Sequence, residues 1–205
     1  MHQLNLHNDY ESWLYAEHKD IWVFDKLIVA RKAGHLCGPR GMKVPKPGIY
    51  MVRPVINFHG MGVGARTMYL EDKTDHLNPG EFWCEYFDGE HVSVDYRGTN
   101  PIISVVGTKD SNNPHQRFIH WKKVDHFVPL PQMLVWMCLR YKTINCEFIG
   151  GKLIEVHLRG NPDFSYGNTE MIPVWKGNTT TPPSGFRFIA DDDSTNDERI
   201  GIFVN

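Results

Sequence analysis

Residues 146–159 read Cys146-Glu147-Phe148-Ile149-Gly150-Gly151-Lys152-Leu153-Ile154-Glu155-Val156-His157-Leu158-Arg159. A Gly-Gly pair between two β-type runs is typical of the tight turn of a β-hairpin. Because side chains alternate along a strand, we expect Glu155, His157 and Arg159 to share one face of the second strand. The first strand of the hairpin carries Glu147. This stretch therefore predicts a hairpin with a carboxylate on each strand.

The polar side chains of this hairpin admit two interpretations. A carboxylate, an imidazole and a guanidinium on one sheet face are costly to bury without a ligand. Two carboxylates on adjacent strands suit Mg²⁺, which binds hard oxygen ligands and leaves positions for substrate phosphates. The alternative is a solvated outer face of an antiparallel hairpin. The rest of the chain favours the first interpretation.

Composition limits the class of protein. The chain has 205 residues, 41% hydrophobic and 22% charged, which is ordinary globular composition and enough for one large or two small domains. The net charge of −2 gives no electrostatic footprint for nucleic acid. No apolar run approaches a membrane span of about 20 residues, and the N-terminus lacks a signal pattern. The cysteines, which lack metal-site or disulfide-framework spacing, are interpreted as reduced thiols of a cytoplasmic protein: Cys37, Cys84, Cys138 and Cys146.

The remaining pattern predicts a strand-rich α+β fold with mostly antiparallel sheets. Helices are expected within residues 8–20, after Leu27 through Ala33, and over Pro131–Tyr141 behind the hairpin. Besides the hairpin, strands are expected at Ile21–Phe24, Ile49–Ile56, Thr67–Leu70, Phe82–Phe87, His91–Tyr96, Ile102–Gly107 and Arg117–Trp121. Residues 176–186 are rich in Gly, Thr and Pro, and 191–198 are acidic.

A glycine-rich turn lies between two of these strands. Gly60, Gly62 and Gly64 alternate with other residues, so the backbone N–H groups of the turn are able to approach phosphate oxygens closely. The turn lacks the Gly-Lys-Ser/Thr of a P-loop. Arg53, on the preceding strand, and Lys26 add cations suited to anionic oxygens. Taken alone, the turn is equally typical of a plain hairpin.

Four features follow one another in a recognisable order. They are a cation on a strand (Tyr50-Met51-Val52-Arg53-Pro54), the glycine turn, the segment Trp83–Asp95, and the two-carboxylate hairpin. This order resembles the ATP-grasp superfamily over roughly residues 22–164. The resemblance implies two small α+β subdomains clasping a nucleotide within a single domain, 1–205. The implied parts are 22–83 with the glycine loop, 84–175 with a metal site, and a tail over 176–205.

The resemblance also implies a nucleotide-binding set. Lys26 and Arg53 stand where two basic residues contact ATP phosphates, with Arg53 replacing the more usual lysine. The glycine loop would fold over the phosphates. The segment after β-type residues 82–84 would clasp adenine, and a histidine would contact the ribose. The residues at these positions are Gly60, Gly62, Gly64, Glu85, Tyr86, Phe87 and His91.

The same resemblance implies a metal site and a catalytic arginine. Glu147 and Glu155 match the magnesium-binding acids, and Arg159 matches an arginine that stabilises an acyl-phosphate or its transition state. His157 replaces the family's usual asparagine as third ligand; imidazole is a poorer ligand for Mg²⁺ and a better one for Mn²⁺. Asn161, four residues on, is a candidate to compensate. The expected cofactors are ATP and Mg²⁺, with Mn²⁺ as the alternative ion.

The resemblance implies an ATP-dependent ligase that activates a carboxylate as an acyl-phosphate and joins it to an amine. A non-catalytic nucleotide-binding protein and a small-molecule kinase are the alternatives, since both use the same site. The expected substrate is a small-molecule or peptide carboxylate, without membrane or nucleic acid as partner. Only about twenty residues precede Trp22, so loops, the tail, a second copy or a partner subunit are expected to form the acceptor site. The small size suggests a viral or mobile-element version.

Overall fold

The computed structural model describes residues 3–56, 62–112, 115, 117–191 and 198–205. Two α-helices are present in this part of the chain, α1 (Asp9–Tyr15) and α2 (Lys26–Lys32). Short 3₁₀ helices span His18–Phe24, Gln132–Leu134, Met137–Leu139 and Pro162–Phe164. The strands are β1 (Cys37–Pro39), β2 (Gly48–Pro54), β3 (Arg66–Leu70), β4 (Glu81–Glu85), β5 (His91–Arg97), β6 (Asn100–Lys109), β7 (Phe118–Lys123), β8 (Ile144–Ile149), β9 (Lys152–His157), β10 (Glu170–Trp175), β11 (Arg187–Ala190) and β12 (Arg199–Val204).

The strands form two antiparallel sheets. A four-stranded sheet has the order β1-β4-β2-β3, and an eight-stranded sheet has the order β11-β12-β10-β7-β6-β5-β8-β9. Every pair of neighbouring strands in these sheets is antiparallel. The prediction of an α+β fold with antiparallel sheets is therefore confirmed.

The β8–β9 hairpin forms at the predicted turn. Gly150 and Gly151 have φ angles of 54° and 76°, and two consecutive positive φ values are the requirement of a type I′ turn. Glu147 lies directly opposite Glu155, and a bulge follows between Glu147 and Phe148. The register therefore brings the two carboxylates together across the hairpin.

The same turn meets the connection between the two sheets, which passes through Asp88 and Gly89. A Cβ added to Gly150 would overlap the Asp88 carbonyl oxygen, and one added to Gly89 would lie 2.9 Å from the Gly150 Cα. Both glycines also have positive φ. The two backbones therefore approach to a distance that only glycine permits.

The largest core cluster lies on one face of β5, β8 and β9. It includes Val94, Cys146 and Val156 from the strands, and residues of α2 and of the 3₁₀ helices pack against them. Segment 131–141 therefore packs behind the hairpin as predicted. It is not the predicted single helix, because it forms two short 3₁₀ turns after Pro129 and Pro131.

One further local expectation differs from the structure. Ile21–Phe24, expected as a strand, belongs to a 3₁₀ helix. Buried Asp20 in this helix accepts two 2.6 Å hydrogen bonds from Arg140, and this tertiary pairing overrides the β propensity of the apolar run. The helix expected within residues 8–20 is confirmed as α1, capped by the Asn8 side chain.

Residues 176–205 contain β11 and β12, which pair with each other and, through β12, with β10. They extend the eight-stranded sheet on the side opposite β9. The boundaries at residues 83 and 175 stay predictions. None of the helices in the described ranges is long and apolar enough to cross a membrane.

Candidate functional site

Ionisable side chains converge on the face of β5, β8 and β9 opposite the main core. Most come from the predicted site, and one, from α1, was not predicted. We call this set the charged cluster: Asp9, Lys26, His91, Glu147, Glu155, His157 and Arg159. The alternative interpretation of a solvated hairpin face is not supported, because His157 is 8% exposed and its neighbours are largely covered.

Lys26 enters the cluster as the first residue of α2. Asp25 caps this helix, with its side chain accepting a 2.8 Å hydrogen bond from Ile28 N, and so fixes where the helix begins. The Lys26 Nζ lies 2.7 Å from Glu155 Oε1, and the two side chains are 6% and 13% exposed. A buried ammonium therefore neutralises one of the two hairpin carboxylates.

His91 pairs with the other hairpin carboxylate. Its Nε2 lies 2.9 Å from Glu147 Oε2 and donates to it, because an ionised carboxylate only accepts. Phe118 and Trp121 pack edge-on against the imidazole ring. Burial raises the pKa of Glu147, but the hydrogen bond from His91 and the nearby positive charges outweigh it and hold the pKa at about 2. Glu147 is therefore an anion at neutral pH.

Asp9, at the start of α1, holds both His157 and Arg159. Its Oδ1 lies 3.1 Å from His157 Nδ1, and its Oδ2 accepts a 2.7 Å hydrogen bond from Arg159 Nη2. Burial raises the pKa of Asp9, but the two cations outweigh it and keep the pKa well below its usual range. Burial lowers the pKa of His157, and Asp9 more than compensates, so the net shift is upward. A carboxylate is thus bound between an imidazole and a guanidinium.

The arrangement does not provide a ready metal site. His157 Nε2 lies 3.9 Å from both Glu147 Oε1 and Glu155 Oε1. Within the described ranges, no group of three or more His, Cys, Asp or Glu side chains is arranged to hold a metal ion. The oxygen and nitrogen donors are engaged instead by Lys26, His91 and Asp9. Mg²⁺ or Mn²⁺ does not fit this arrangement, and the metal roles of Glu147, Glu155 and His157 stay predictions.

A small cavity lies beside the cluster. Its volume is about 20 Å³, which accommodates about one water molecule and no nucleotide. Its lining residues are Asp9, Val23, Phe24, Lys26, Ile56, Glu155, Val156 and His157. A larger ligand therefore requires the elements around the cluster to separate.

Arg53 links the two sheets. From β2 it donates a 2.9 Å hydrogen bond to the Ile154 carbonyl of β9, and its guanidinium lies 5.3 Å from the centre of the Phe82 ring. Its Nε is buried without a hydrogen bond to the described part of the chain. Gly62 and Gly64 lie in the turn before β3, with φ of 64° and 80°, whereas Gly60 lies outside the described residues.

The predicted adenine segment follows β4. Glu85 Oε1 accepts a 2.8 Å hydrogen bond from Leu36 N, and the Phe87 ring packs edge-on against His35 at 4.7 Å between centroids. Tyr86 is exposed. His35 in turn lies 2.8 Å from the Leu153 carbonyl of β9. These residues therefore border the junction of the two sheets, and their nucleotide role stays a prediction.

A second buried polar network adjoins the cluster and was not predicted. Asn145 donates hydrogen bonds to Asp95 and Ser93 at 2.8 and 2.7 Å. The backbone N of Asn161 donates to both Asp95 oxygens at 3.0 Å. The Asn161 side-chain oxygen accepts a hydrogen bond from Asp163 N. This oxygen is therefore already engaged, and the suggested role of Asn161 as a compensating metal ligand stays a prediction. Burial raises the pKa of Asp95.

The sequence carried only part of the signal for these residues. His91, Ser93 and Asp95 alternate along β5, and such alternation marks one sheet face. Asn145 lies opposite both Asp95 and His157. The sequence around Asp9 indicates only the start of a helix. Its role in the cluster could not be predicted, because its partners are 148 and 150 residues away.

Comparison with protein-family models gives no match, and comparison with curated proteins gives none either. Among solved structures, N5-carboxyaminoimidazole synthetase from Staphylococcus aureus is similar with a TM-score of 0.49 and 11% identity, covering 89% of this chain and 66% of that one. A candidate ATP-grasp superfamily protein from Archaeoglobus fulgidus gives 0.48 and 10%, covering 89% and 64%. D-alanine–D-alanine ligase from Bacillus anthracis gives 0.41 and 15%, covering 71% and 60%.

The chain is similar to these proteins in fold. The chain spans less than two thirds of their length, at 64% and 66% of the first two. At identities of 10% to 15%, this likeness assigns neither a reaction nor a substrate to the chain.

Proposed function

We propose that this chain is an ATP-dependent ligase of the carboxylate–amine type. In this reaction a carboxylate oxygen of the substrate attacks the γ-phosphorus of ATP, and ADP leaves. An amine then attacks the carbonyl carbon of the acyl-phosphate, and inorganic phosphate leaves. The order of motifs along the chain supports this class, and so does the convergence of the residues that carry the motifs into one buried cluster.

The observation that carries the proposal is the carboxylate already bound by Arg159 and His157. Asp9 contacts both cations, at 2.7 and 3.1 Å. A planar guanidinium and an imidazolium that bind one carboxylate are equally suited to a substrate carboxylate or an acyl-phosphate. In the proposal, Arg159 stabilises the charge on the reacting group when Asp9 has been displaced.

Lys26 of α2 and Arg53 of β2 are proposed to bind the phosphates of ATP. Lys26 and Arg53 both contact β9, Lys26 through the Glu155 side chain and Arg53 through the Ile154 carbonyl. Both are nearly buried, so their charges act in a medium of low dielectric, where they stabilise phosphate strongly. The cavity beside Lys26 and Glu155 is only about 20 Å³, so it is too small to hold a nucleotide.

A non-catalytic nucleotide-binding protein is the second candidate. The observation that favours it is the direct Lys26–Glu155 ion pair, which neutralises one of the two acids expected to bind metal. A small-molecule kinase, which stops after phosphoryl transfer, uses the same residues as the ligase. The candidates differ in the product they release and in their dependence on Arg159.

The test separates binding from turnover. ATP binding is measured by calorimetry with and without Mg²⁺ or Mn²⁺, and release of ADP and phosphate is measured in the presence of mixed carboxylates and amines. For a ligase, Arg159→Lys retains ATP binding but loses release of ADP; Arg187→Lys on exposed β11 is the matched control. ATP binding without turnover supports the second candidate. The absence of ATP binding refutes both.

A further inference from the structure

The four-stranded sheet places two cysteines directly opposite each other. Cys37 of β1 and Cys84 of β4 are register partners in an antiparallel pair. Register partners project their side chains to the same face of the sheet. The two thiols accordingly belong to one cluster, together with Ala30 of α2 and Phe82.

The hydrogen bonds on either side define the type of this pair. Glu85 N donates to the Leu36 carbonyl at 2.8 Å, and Arg40 N donates to the Glu81 carbonyl at 3.3 Å. Hydrogen-bonded and non-hydrogen-bonded pairs alternate along an antiparallel ladder, so Cys37 and Cys84 occupy a non-hydrogen-bonded pair. The Cα atoms of such a pair are about 4.5 Å apart, at the short end of the range that a disulfide spans.

The two thiols differ in access. Cys84 is 3% exposed, whereas Cys37 is half-buried. β1 has only three residues and lies at the edge of its sheet, where a strand adjusts its position more freely than in the middle. Cys37 is therefore placed to meet a small oxidant first, with Cys84 behind it.

We propose that Cys37 and Cys84 form a reversible cross-strand disulfide by exchange with low-molecular-weight disulfides. The Cys37 thiolate attacks one sulfur of glutathione disulfide, forming a mixed disulfide and releasing one glutathione thiolate. The Cys84 thiolate then attacks the Cys37 sulfur and releases the second. The two thiols lose two protons and two electrons, and one glutathione disulfide becomes two glutathione molecules.

The surroundings of the pair set its pH dependence. Burial raises the pKa of both thiols; Arg31 and Arg53 oppose this at Cys37, as does Arg53 at Cys84, while Glu85 adds to it at both. Each attack requires a thiolate, so the exchange accelerates as pH rises. The proposal does not rest on the proposed ligase reaction, because neither thiol belongs to the charged cluster.

The experiment uses the full chain with glutathione disulfide over a range of pH. Intact mass and peptide mapping identify the product, and alkylation reports the free thiols. The expected product has lost two hydrogens, links residue 37 to residue 84, and reverts with dithiothreitol. Cys138 and Cys146, buried elsewhere in the structure, are the matched internal controls and remain free.

Single variants test the order of the two steps. In Cys84→Ser, the reaction stops with glutathione on Cys37; in Cys37→Ser, Cys84 gains glutathione far more slowly. A persistent glutathione adduct on Cys37 in the parent protein would overturn the proposal, and so would a bond to Cys138 or Cys146. Failure of either thiol to react in the folded chain at alkaline pH would also overturn it.

Discussion

Each sheet has an arginine–carboxylate pair in which the carboxylate is largely covered, and the two pairs differ in how many hydrogen bonds that carboxylate accepts. In the four-stranded sheet, Glu81 accepts from two nitrogens of Arg66 and also from the backbone and side chain of Asn78. Beside the eight-stranded sheet, the Asp9 carboxylate has only two such contacts. It accepts a hydrogen bond from Arg159, and its other oxygen lies 3.1 Å from His157 Nδ1. Glu81 is therefore saturated, and Asp9 is not.

The difference distinguishes a pair that stabilises the fold from one suited to exchange. A bidentate pair with further donors fixes two neighbouring strands, and no incoming anion improves on it. Asp9, by contrast, lies on a seven-residue helix and binds side chains that also face Glu147 and Glu155. We infer that an incoming carboxylate or phosphate is able to replace Asp9, whereas none replaces Glu81.

The largest expected effect concerns Glu155. Glu155→Gln keeps the size of the side chain but removes the carboxylate that positions Lys26 Nζ at 2.7 Å, so release of ADP should fall by at least about 100-fold. The matched change Glu81→Gln should leave turnover unchanged, because Glu81 pairs with Arg66 within the four-stranded sheet, outside the charged cluster. Steady-state kinetics with both variants measures the effect. Near-normal turnover of Glu155→Gln would remove this residue from the site.

The second effect concerns Arg53, which spans the two sheets. Arg53→Ala should weaken ATP binding by roughly 1.5–3 kcal/mol if the guanidinium makes one charge-assisted hydrogen bond to phosphate. Arg187→Ala, which removes a cation from the exposed strand β11, is the control and should change binding little. Calorimetric titration compares the two. Equal affinities would restrict Arg53 to its contact with the Ile154 carbonyl.

The third effect is on stability alone. Arg66→Met leaves the buried Glu81 carboxylate with only its Asn78 donors and should lower the free energy of unfolding by about 1–2 kcal/mol. Nucleotide affinity should not change, since Arg66 pairs within the small sheet. Urea denaturation followed by tryptophan fluorescence gives the first quantity. A large loss of ATP affinity in this variant would contradict the division between the two pairs.

The fourth effect is a gain. Asp9→Asn keeps the shape of the side chain but removes the charge that competes with an anionic ligand for Arg159 and His157. Affinity for ATP or for a carboxylate substrate should therefore rise by several-fold, on the order of 1 kcal/mol. Asp25→Asn, which removes a carboxylate at the start of α2 outside the charged cluster, is the control. A fall in affinity would instead assign Asp9 to orienting the two cations.

The smallest effect is on the pH dependence of stability. The hydrogen bonds from Arg66 hold the pKa of Glu81 at about 2, below its ordinary value of 4.5. The stabilisation is present above pH 4.5 and declines as pH falls towards 2, so the change between pH 5 and 4 should be under about 1 kcal/mol. Glu81→Gln should remove this part of the acid limb. The free energy of unfolding is measured at each pH in the parent protein and in the variant. If it falls equally in both as the pH is lowered, the assignment is wrong.

Local signals predicted the part of the fold that depends on neighbouring residues. The Gly150-Gly151 pair sets the hairpin and so the meeting of Glu147 with Glu155. Asn8 and Gly34 mark the start of α1 and the end of α2. In each case the deciding interaction spans a few residues, which is the range that sequence patterns report.

Features that depend on distant partners were not predicted. Asp20 fixes a 3₁₀ helix through Arg140, 120 residues away, and Asp9 reaches the cluster across 150 residues. β11 follows a Pro/Gly-rich stretch and β12 follows an acidic one. The composition of these stretches suggests an irregular tail, but β11 and β12 pair with each other as strands of the sheet. The engagement of the hairpin acids by Lys26 and His91 was likewise invisible, because residue types reveal candidates for a site and not their pairing.

The contact between Gly89 and Gly150 has a mechanical consequence. The Asp88–Gly89 connection joins the two sheets, and its backbone lies against the turn that carries Glu147 and Glu155 on its two strands. Glu90 also accepts a hydrogen bond from Gly150 N at 3.0 Å. A rotation of the four-stranded sheet about Gly89 therefore has its axis beside the Gly150-Gly151 turn of the hairpin. Such a rotation would stretch the hydrogen bond by which Arg53 of β2 reaches the Ile154 carbonyl of β9.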